Sequence, residues 1–202
     1  VRPFVFVALL GSTVALIACG RGGDDADVEG ITASITEATT TAYPADCRRL
    51  HTLRFLEQAT KLSGDAAVQA CEEEALYEPA PAAERVTVSE IDVEGGCATA
   101  TVALTGSQLD GQVLKLGLVE DERWKLDWIV EFVALDREKL ILELGRAIFG
   151  AASTPSDADA AACFLTQLEK LDDAALEALL LEPSPTEALG LSQLCGSRSE
   201  AA

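Results

Sequence analysis

The chain has 202 residues, a formal net charge of −19 at pH 7, six cysteines and one histidine, with 49% hydrophobic residues. This acidity excludes nucleic-acid binding by counterion release, which needs clustered Lys and Arg, and it repels anionic lipid headgroups. The length accommodates one ordinary domain and a small appendage.

Arg2 is the only charge before residue 20, and apolar stretches from Phe4 to Leu10 and from Val14 to Ala18 flank Gly11-Ser12-Thr13. A positive start, a short apolar run and a small residue before a cleavage point form the pattern of an export signal. The run is shorter than the about 20 residues of a membrane-spanning helix. Leu16-Ile17-Ala18-Cys19 resembles the lipobox of a bacterial lipoprotein, so residues 1–18 are expected to be a signal peptide and Cys19 the lipidated residue. The first residue is Val and the chain contains no Met, which reads as a GTG start codon translated literally; abundant Ala, and Arg outnumbering Lys, point to a GC-rich bacterial genome. Cleavage would remove Arg2 and no acid, taking the charge from −19 to −20. The expected location is extracytoplasmic, at the outer face of the cell membrane, with the acyl chains holding the protein. Residues 19–30, rich in Gly and Asp, read as a flexible tether.

Ile31, Ile35, Ala38 and Ala42 fall at helical spacing, and Pro44 is expected to end that helix. Asp46 is placed to cap a second helix carrying Leu50, Leu53, Arg54, Leu56 and Glu57. Ser63-Gly64-Asp65 breaks it and opens a third, with Val68, Cys71 and Ala75 on one face and Pro79 and Pro81 beyond its end.

From Arg85 the period changes to two. Val86 and Val88 lead to Ile91 and Val93 with a slip at Glu90 that predicts a bulge. Glu94-Gly95-Gly96 is a hairpin turn, after which Ala98, Ala100, Val102 and Leu104 alternate with polar neighbours. Leu114, Leu116 and Leu118 mark a third strand. Beyond Glu120-Asp121-Glu122, the alternation sets Trp124, Leu126 and Trp128 on one side of a fourth strand and Asp127 on the other. Short turns make the sheet antiparallel, with one apolar face for the helices to cover.

Residues 136–196 read as a helical appendage. Asp136 to Phe149 is amphipathic, Ala151 to Ser156 a linker, and Ala158–Lys170, Asp173–Leu181 and Pro185–Leu194 three short helices, the last with the Ser184-Pro185-Thr186-Glu187 start signature. Residues 197–202 are a tail. An exported protein is expected to pair its cysteines. With Cys19 assigned to lipid, the expected pairs are Cys47–Cys71 and Cys163–Cys195, each joining two helices of one region, and Cys97 is left as a small buried side chain. The single His51 cannot complete a zinc site with them, so no metal or cofactor is expected.

The order of three helices and a four-stranded antiparallel sheet resembles the NTF2-like (cystatin-like α+β cone) superfamily over residues 31–135. The stretches that carry the likeness are Leu53-Arg54-Phe55-Leu56-Glu57-Gln58, Val86 to Val93, Ala98-Thr99-Ala100-Thr101-Val102, Asp110-Gly111-Gln112 and Trp124-Lys125-Leu126-Asp127. The resemblance implies a curved sheet around a helix and a cone-shaped cavity, used in such proteins for ligands, for isomerase or hydrolase chemistry, or as a scaffold. Val102, Leu116, Trp124 and Trp128 are the expected lining.

Asp127 and His51 are the candidate catalytic groups, since an isomerase or hydratase of the ketosteroid-isomerase-like type needs an Asp base or a near-neutral His. Such an enzyme also needs a Tyr or protonated-Asp donor opposite, and the only tyrosines, Tyr43 and Tyr77, lie near predicted helix ends. No Gly-rich phosphate loop or Ser/His/Asp set is present. Glu72-Glu73-Glu74 reads as a solvated helix face. The sequence therefore favours a non-catalytic binding or scaffold module, with a small apolar ligand or an envelope protein as its partner.

Overall fold

The computed structural model describes residues 24–77, 81–149 and 155–182. Its elements run α1 (Asp25–Thr40), α2 (Pro44–Leu50), α3 (Leu53–Thr60), α4 (Asp65–Tyr77), β1 (Arg85–Glu94), β2 (Cys97–Thr105), β3 (Val113–Asp121), β4 (Arg123–Ala134), α5 (Arg137–Phe149), α6 (Pro155–Leu168) and α7 (Asp173–Leu181). The α+β class and the four-stranded antiparallel sheet, in the order β1-β2-β3-β4, are as expected.

The first helix starts inside the segment expected to be a tether. Asp24 Oδ1 accepts hydrogen bonds from the Ala26 and Asp27 amides, and the Asp24 amide donates to Asp27 Oδ2. This capping box, with Asp25 and Asp27 in the positive first turn, starts the helix ahead of the first core residue. Ile31 and Ile35 are then fully buried against the sheet, each contributing roughly 1.5–3 kcal/mol of transfer free energy. The expected second helix is two. Thr52 caps α3 by accepting from the Phe55 amide, while its own amide donates to the Leu126 carbonyl of β4. The chain is thus pinned to the sheet at His51–Thr52, and Pro44 opens α2 at its first turn.

Ala98, Ala100, Val102, Leu104, Leu114, Leu116, Leu118, Trp124, Leu126 and Phe132 form the helix-facing side of the sheet and one continuous core with α1. The β1 bulge falls between Ser89 and Asp92, around Glu90 at φ 50°, where the slip in the pattern placed it. β4 is less regular. Its register against β3 shifts three times, skipping Asp127, Val130 and Val133. Each skipped residue turns the following side chains to the opposite face. The expected grouping of Trp128 with Trp124 and Leu126 is therefore corrected: Trp128 lies on the sheet face opposite the core, where the first turn of α3 reaches its ring.

Gln58, buried on α3, serves the bent strand as a partner would. Its Oε1 accepts from the Ile129 amide at 2.7 Å, and its Nε2 donates to the Ile129 carbonyl at 3.0 Å and to Leu181 at 2.8 Å. Lys61 Nζ donates to the Leu180 and Glu182 carbonyls, 2.6 Å each, at the negative end of α7. These bonds join the C-terminal helices to the rest. A second small core of Ile141, Phe164, Leu168, Leu176 and Leu179 lies between α5, α6 and α7.

The Cys47–Cys71 disulfide is present and ties α2 to α4, with Cα atoms 6.1 Å apart. Cys163 is disulfide-bonded as well, and so is Cys97, which corrects its expected state as a buried thiol; no described cysteine is free. Cys19, Cys195, residues 1–18, residues 197–202 and the expected helix Pro185–Leu194 lie outside the described residues. No described helix is long and apolar enough to cross a membrane.

Candidate functional site

The residues named from the sequence divide between two faces of the sheet. Val102, Leu116 and Trp124 are at most 5% exposed and belong to the core beneath α1. Gly30 of α1 packs so closely on Trp124 that a Cβ there would sit 3.0 Å from the indole. Trp128 is not brought to them. It lies across Gly117 of β3, its cross-strand partner, and a Cβ at that glycine would fall 2.1 Å from the indole Nε1.

On this outer face a recess of about 240 Å³ forms around Trp128, with Gly117, Thr99, Asp92, Glu94 and Asp127 among its walls. Two hydrogen bonds and a ring stack fix its geometry. Thr52 Oγ1 donates to Asp127 Oδ1 at 2.8 Å, Arg54 Nη1 donates to Asp127 Oδ2 at 3.1 Å, and the Arg54 guanidinium stacks on Trp128 with Cζ 3.9 Å from the ring centroid. The bulge at Asp127 makes this arrangement: one extra residue in β4 lets both Asp127 and Trp128 turn toward the first turn of α3. Both Asp127 oxygens are thereby engaged within the chain.

His51 is elsewhere. Its ring stacks on Phe55 with centroids 4.8 Å apart, and its buried Nδ1 has no hydrogen-bond partner. Burial pushes its pKa down to about 4, an effect only partly offset by the Asp46 and Cys47 backbone and the Asp46 charge, so the imidazole is neutral at pH 7. Tyr43 and Tyr77 are 68% and 79% exposed. The described residues hold no group of three or more His, Cys, Asp or Glu arranged for a metal. Glu72 and Glu73 of the acidic run pair with Arg48 and Gln69 on the surface.

A separate polar cluster joins α1, α2 and β4. Arg49 bonds Glu37 at 2.7 Å and Asp46 at 2.5 Å, and Arg123 bonds Glu37 at 2.9 Å. The Arg49 and Arg123 hydrogen bonds hold the Glu37 carboxyl below its usual range against some burial. At Asp46 burial works the other way but is outweighed by Arg49 and Thr41. This is cross-bracing between elements, and no cavity adjoins it among those described.

Sequence reasoning passed over Arg54, Gly117, Asp92 and Glu94 as parts of one site. The available signal was Gly117, a glycine in the middle of a strand, which marks a bulge or a close approach. No family model matches the chain, and no curated protein or solved structure gives a significant match to it.

Proposed function

We propose that this is an extracytoplasmic binding module of NTF2-like organisation, anchored through a lipid on Cys19, that acts by holding a partner and not by turning over a substrate. The observation that carries the binding part is the recess around Trp128: an aromatic wall, an arginine and three carboxylates gathered on the sheet face opposite the core. Binding sites characteristically combine a concave shape with a few convergent polar groups. The disulfide between α2 and α4 supports an oxidising, extracytoplasmic setting. The helices followed by a four-stranded meander support the NTF2-like assignment.

The isomerase or hydratase alternative draws no comparable support. Its base, Asp127, is occupied by Thr52 and Arg54, and its donor candidates Tyr43 and Tyr77 are solvent-exposed on helix flanks. The test is to express the full chain in a bacterial host, label with a lipid precursor, and record native mass spectra of the membrane-extracted protein. Label incorporated by the native chain and lost in Cys19→Ala supports the anchor; equal labelling refutes it. A co-purified ligand or protein lost on Trp128→Ala supports the binding reading. Retention of that species by Trp128→Ala overturns the recess as its site.

A further inference from the structure

Four residues in cross-strand register make a single row over the outer face: Asp92 on β1, Thr99 on β2, Gly117 on β3 and Trp128 on β4. The glycine lets the Trp128 indole lie over β3, leaving a gap between the indole and the hydroxyl. Asp92 and Glu94 stand at one end of the gap, on β1, the edge strand of the sheet. At the other end Arg54, the only cation among the described wall residues, lies on Trp128 and bonds Asp127. Among the described wall residues, three carboxylates against one guanidinium give a formal charge of −2.

What Arg54 does here is informative about what the recess accepts. A planar guanidinium is held by an aromatic face and a carboxylate together, the two partners that suit arginine better than lysine. Yet the Arg54 side chain is 56% exposed, and an exposed stack and an exposed ion pair hold it only weakly. The volume of about 240 Å³ lies below the usual range of small-molecule pockets, about 300–1,000 Å³, and suits one side chain.

We propose that the recess docks an arginine side chain presented by a partner polypeptide, and that Arg54 is the intramolecular stand-in which that arginine replaces on Trp128 and Asp127. The inference rests on the binding-module reading and names the partner's chemistry. Asp92 and Glu94, at the open edge, meet the incoming positive charge. The net charge of −19 draws a basic partner toward the molecule and makes the encounter dependent on salt.

The test uses the full chain with its disulfides intact and the capped peptide Gly-Arg-Gly as probe, at low and at moderate ionic strength. Gly-Lys-Gly, Gly-Gln-Gly and free arginine amide are the comparisons. The two tryptophan indole N–H resonances separate the sites, because Trp124 is buried in the core and Trp128 is not. The arginine peptide is expected to shift the Trp128 signal and leave that of Trp124 in place, and to bind more weakly as salt rises. Arg54→Gln vacates the stand-in's place and is expected to tighten binding roughly five- to tenfold, with Arg54→Lys between it and the native chain. Asp92→Asn combined with Glu94→Gln is expected to weaken it by a similar factor. Unchanged or weaker binding by a folded Arg54→Gln overturns the proposal, as does an equal shift by the glutamine or lysine peptide. Arginine amide binding as tightly as the peptide overturns the polypeptide partner, and a mass that doubles with concentration in place of peptide binding overturns it in favour of a second copy. A co-purified ligand that depends on Trp128, with no arginine-peptide binding, refutes the arginine assignment and leaves the binding reading standing.

Discussion

His51 has its ring against Phe55 and its Nδ1 sealed from water, so protonation places a charge in a buried setting that the Asp46 and Cys47 backbone and the Asp46 charge only partly compensate. Its folded-state pKa, about 4, lies below the ordinary 6.5. On acidification the unfolded chain takes up the proton first, which favours unfolding. The stability tied to neutral His51 is therefore complete above pH 6.5, declines as pH falls from 6.5 to about 4, and falls no further below that. The gap corresponds to about 3 kcal/mol. Glu37 and Asp46 act in the same direction lower on the scale, because their lowered carboxyl pKa values give stability that is lost as pH falls through them. His51→Phe keeps a ring beside Phe55 and removes the titration. Its urea midpoint is expected to stay level between pH 6.5 and about 5, where that of the native chain falls, with the carboxylate loss retained at lower pH. Parallel pH profiles for the two proteins would show that His51 is not the buried titrating group. The same burial bears on its chemistry: a ring whose Nδ1 faces the interior is poorly placed as a base for an outside substrate.

Gly117 and Trp128 belong to different strands but are one decision of the sheet. An alanine at 117 would place its methyl 2.1 Å from Nε1 and 2.2 Å from Cδ1 of the indole, and the rigid ring must leave the strand to admit it. Gly117→Ala is expected to cost about 1–3 kcal/mol in the native background and close to nothing in Trp128→Ala, so the double-mutant cycle returns nearly the whole cost as coupling between β3 and β4. Urea unfolding of the four proteins measures it; equal costs in both backgrounds would show that the ring does not lie on the glycine. This pair also explains which parts of the sheet the sequence reveals. In β1 the bulge is legible because Val86 and Val88 fall out of phase with Ile91 and Val93. In β4 the run Trp124-Leu126-Trp128 alternates without fault, yet the strand slips at Asp127. That slip is accompanied by tertiary contacts, namely Thr52 and Arg54 on Asp127 and the Trp128 ring over Gly117, which no local period records. The later apolar residues at a spacing of three, Leu126, Ile129 and Phe132, do trace the repeated shifts. The candidate site was correspondingly half legible: Asp127 and Trp128 stood out as residue types, but the face they share depended on a register that their own strand conceals. The break between α2 and α3 has the same character, since Leu50, Leu53 and Leu56 keep helical spacing through it while the Thr52 amide bonds Leu126 instead.

At the scale of the whole molecule the cysteines set a constraint that the lipid-anchor proposal must meet. Six cysteines can form three cystines, and a thioether at Cys19 leaves five, an odd number. Cys47 and Cys71 are bonded to each other, and closing their 24-residue separation is worth about 3.5 kcal/mol on the chain-entropy model. Cys97 and Cys163 are both oxidised. In a lipidated chain the thiols outside the Cys47–Cys71 pair are Cys97, Cys163 and Cys195, so one of the three must be reduced or bonded to another chain. The anchor and a fully oxidised, self-contained monomer exclude each other. Non-reducing proteolysis and mass spectrometry of the membrane-extracted protein separate the two. With the anchor in place, the Cys19 peptide carries lipid and never a cystine, Cys47–Cys71 is intact, and either one alkylatable thiol or a disulfide-linked dimer appears among the remaining three. A cystine containing Cys19 in that material would refute lipidation at that residue. It would equally require that Cys19 be held at the fold by a covalent bond, so that whatever attaches the protein to an envelope is some other feature than the acyl chain.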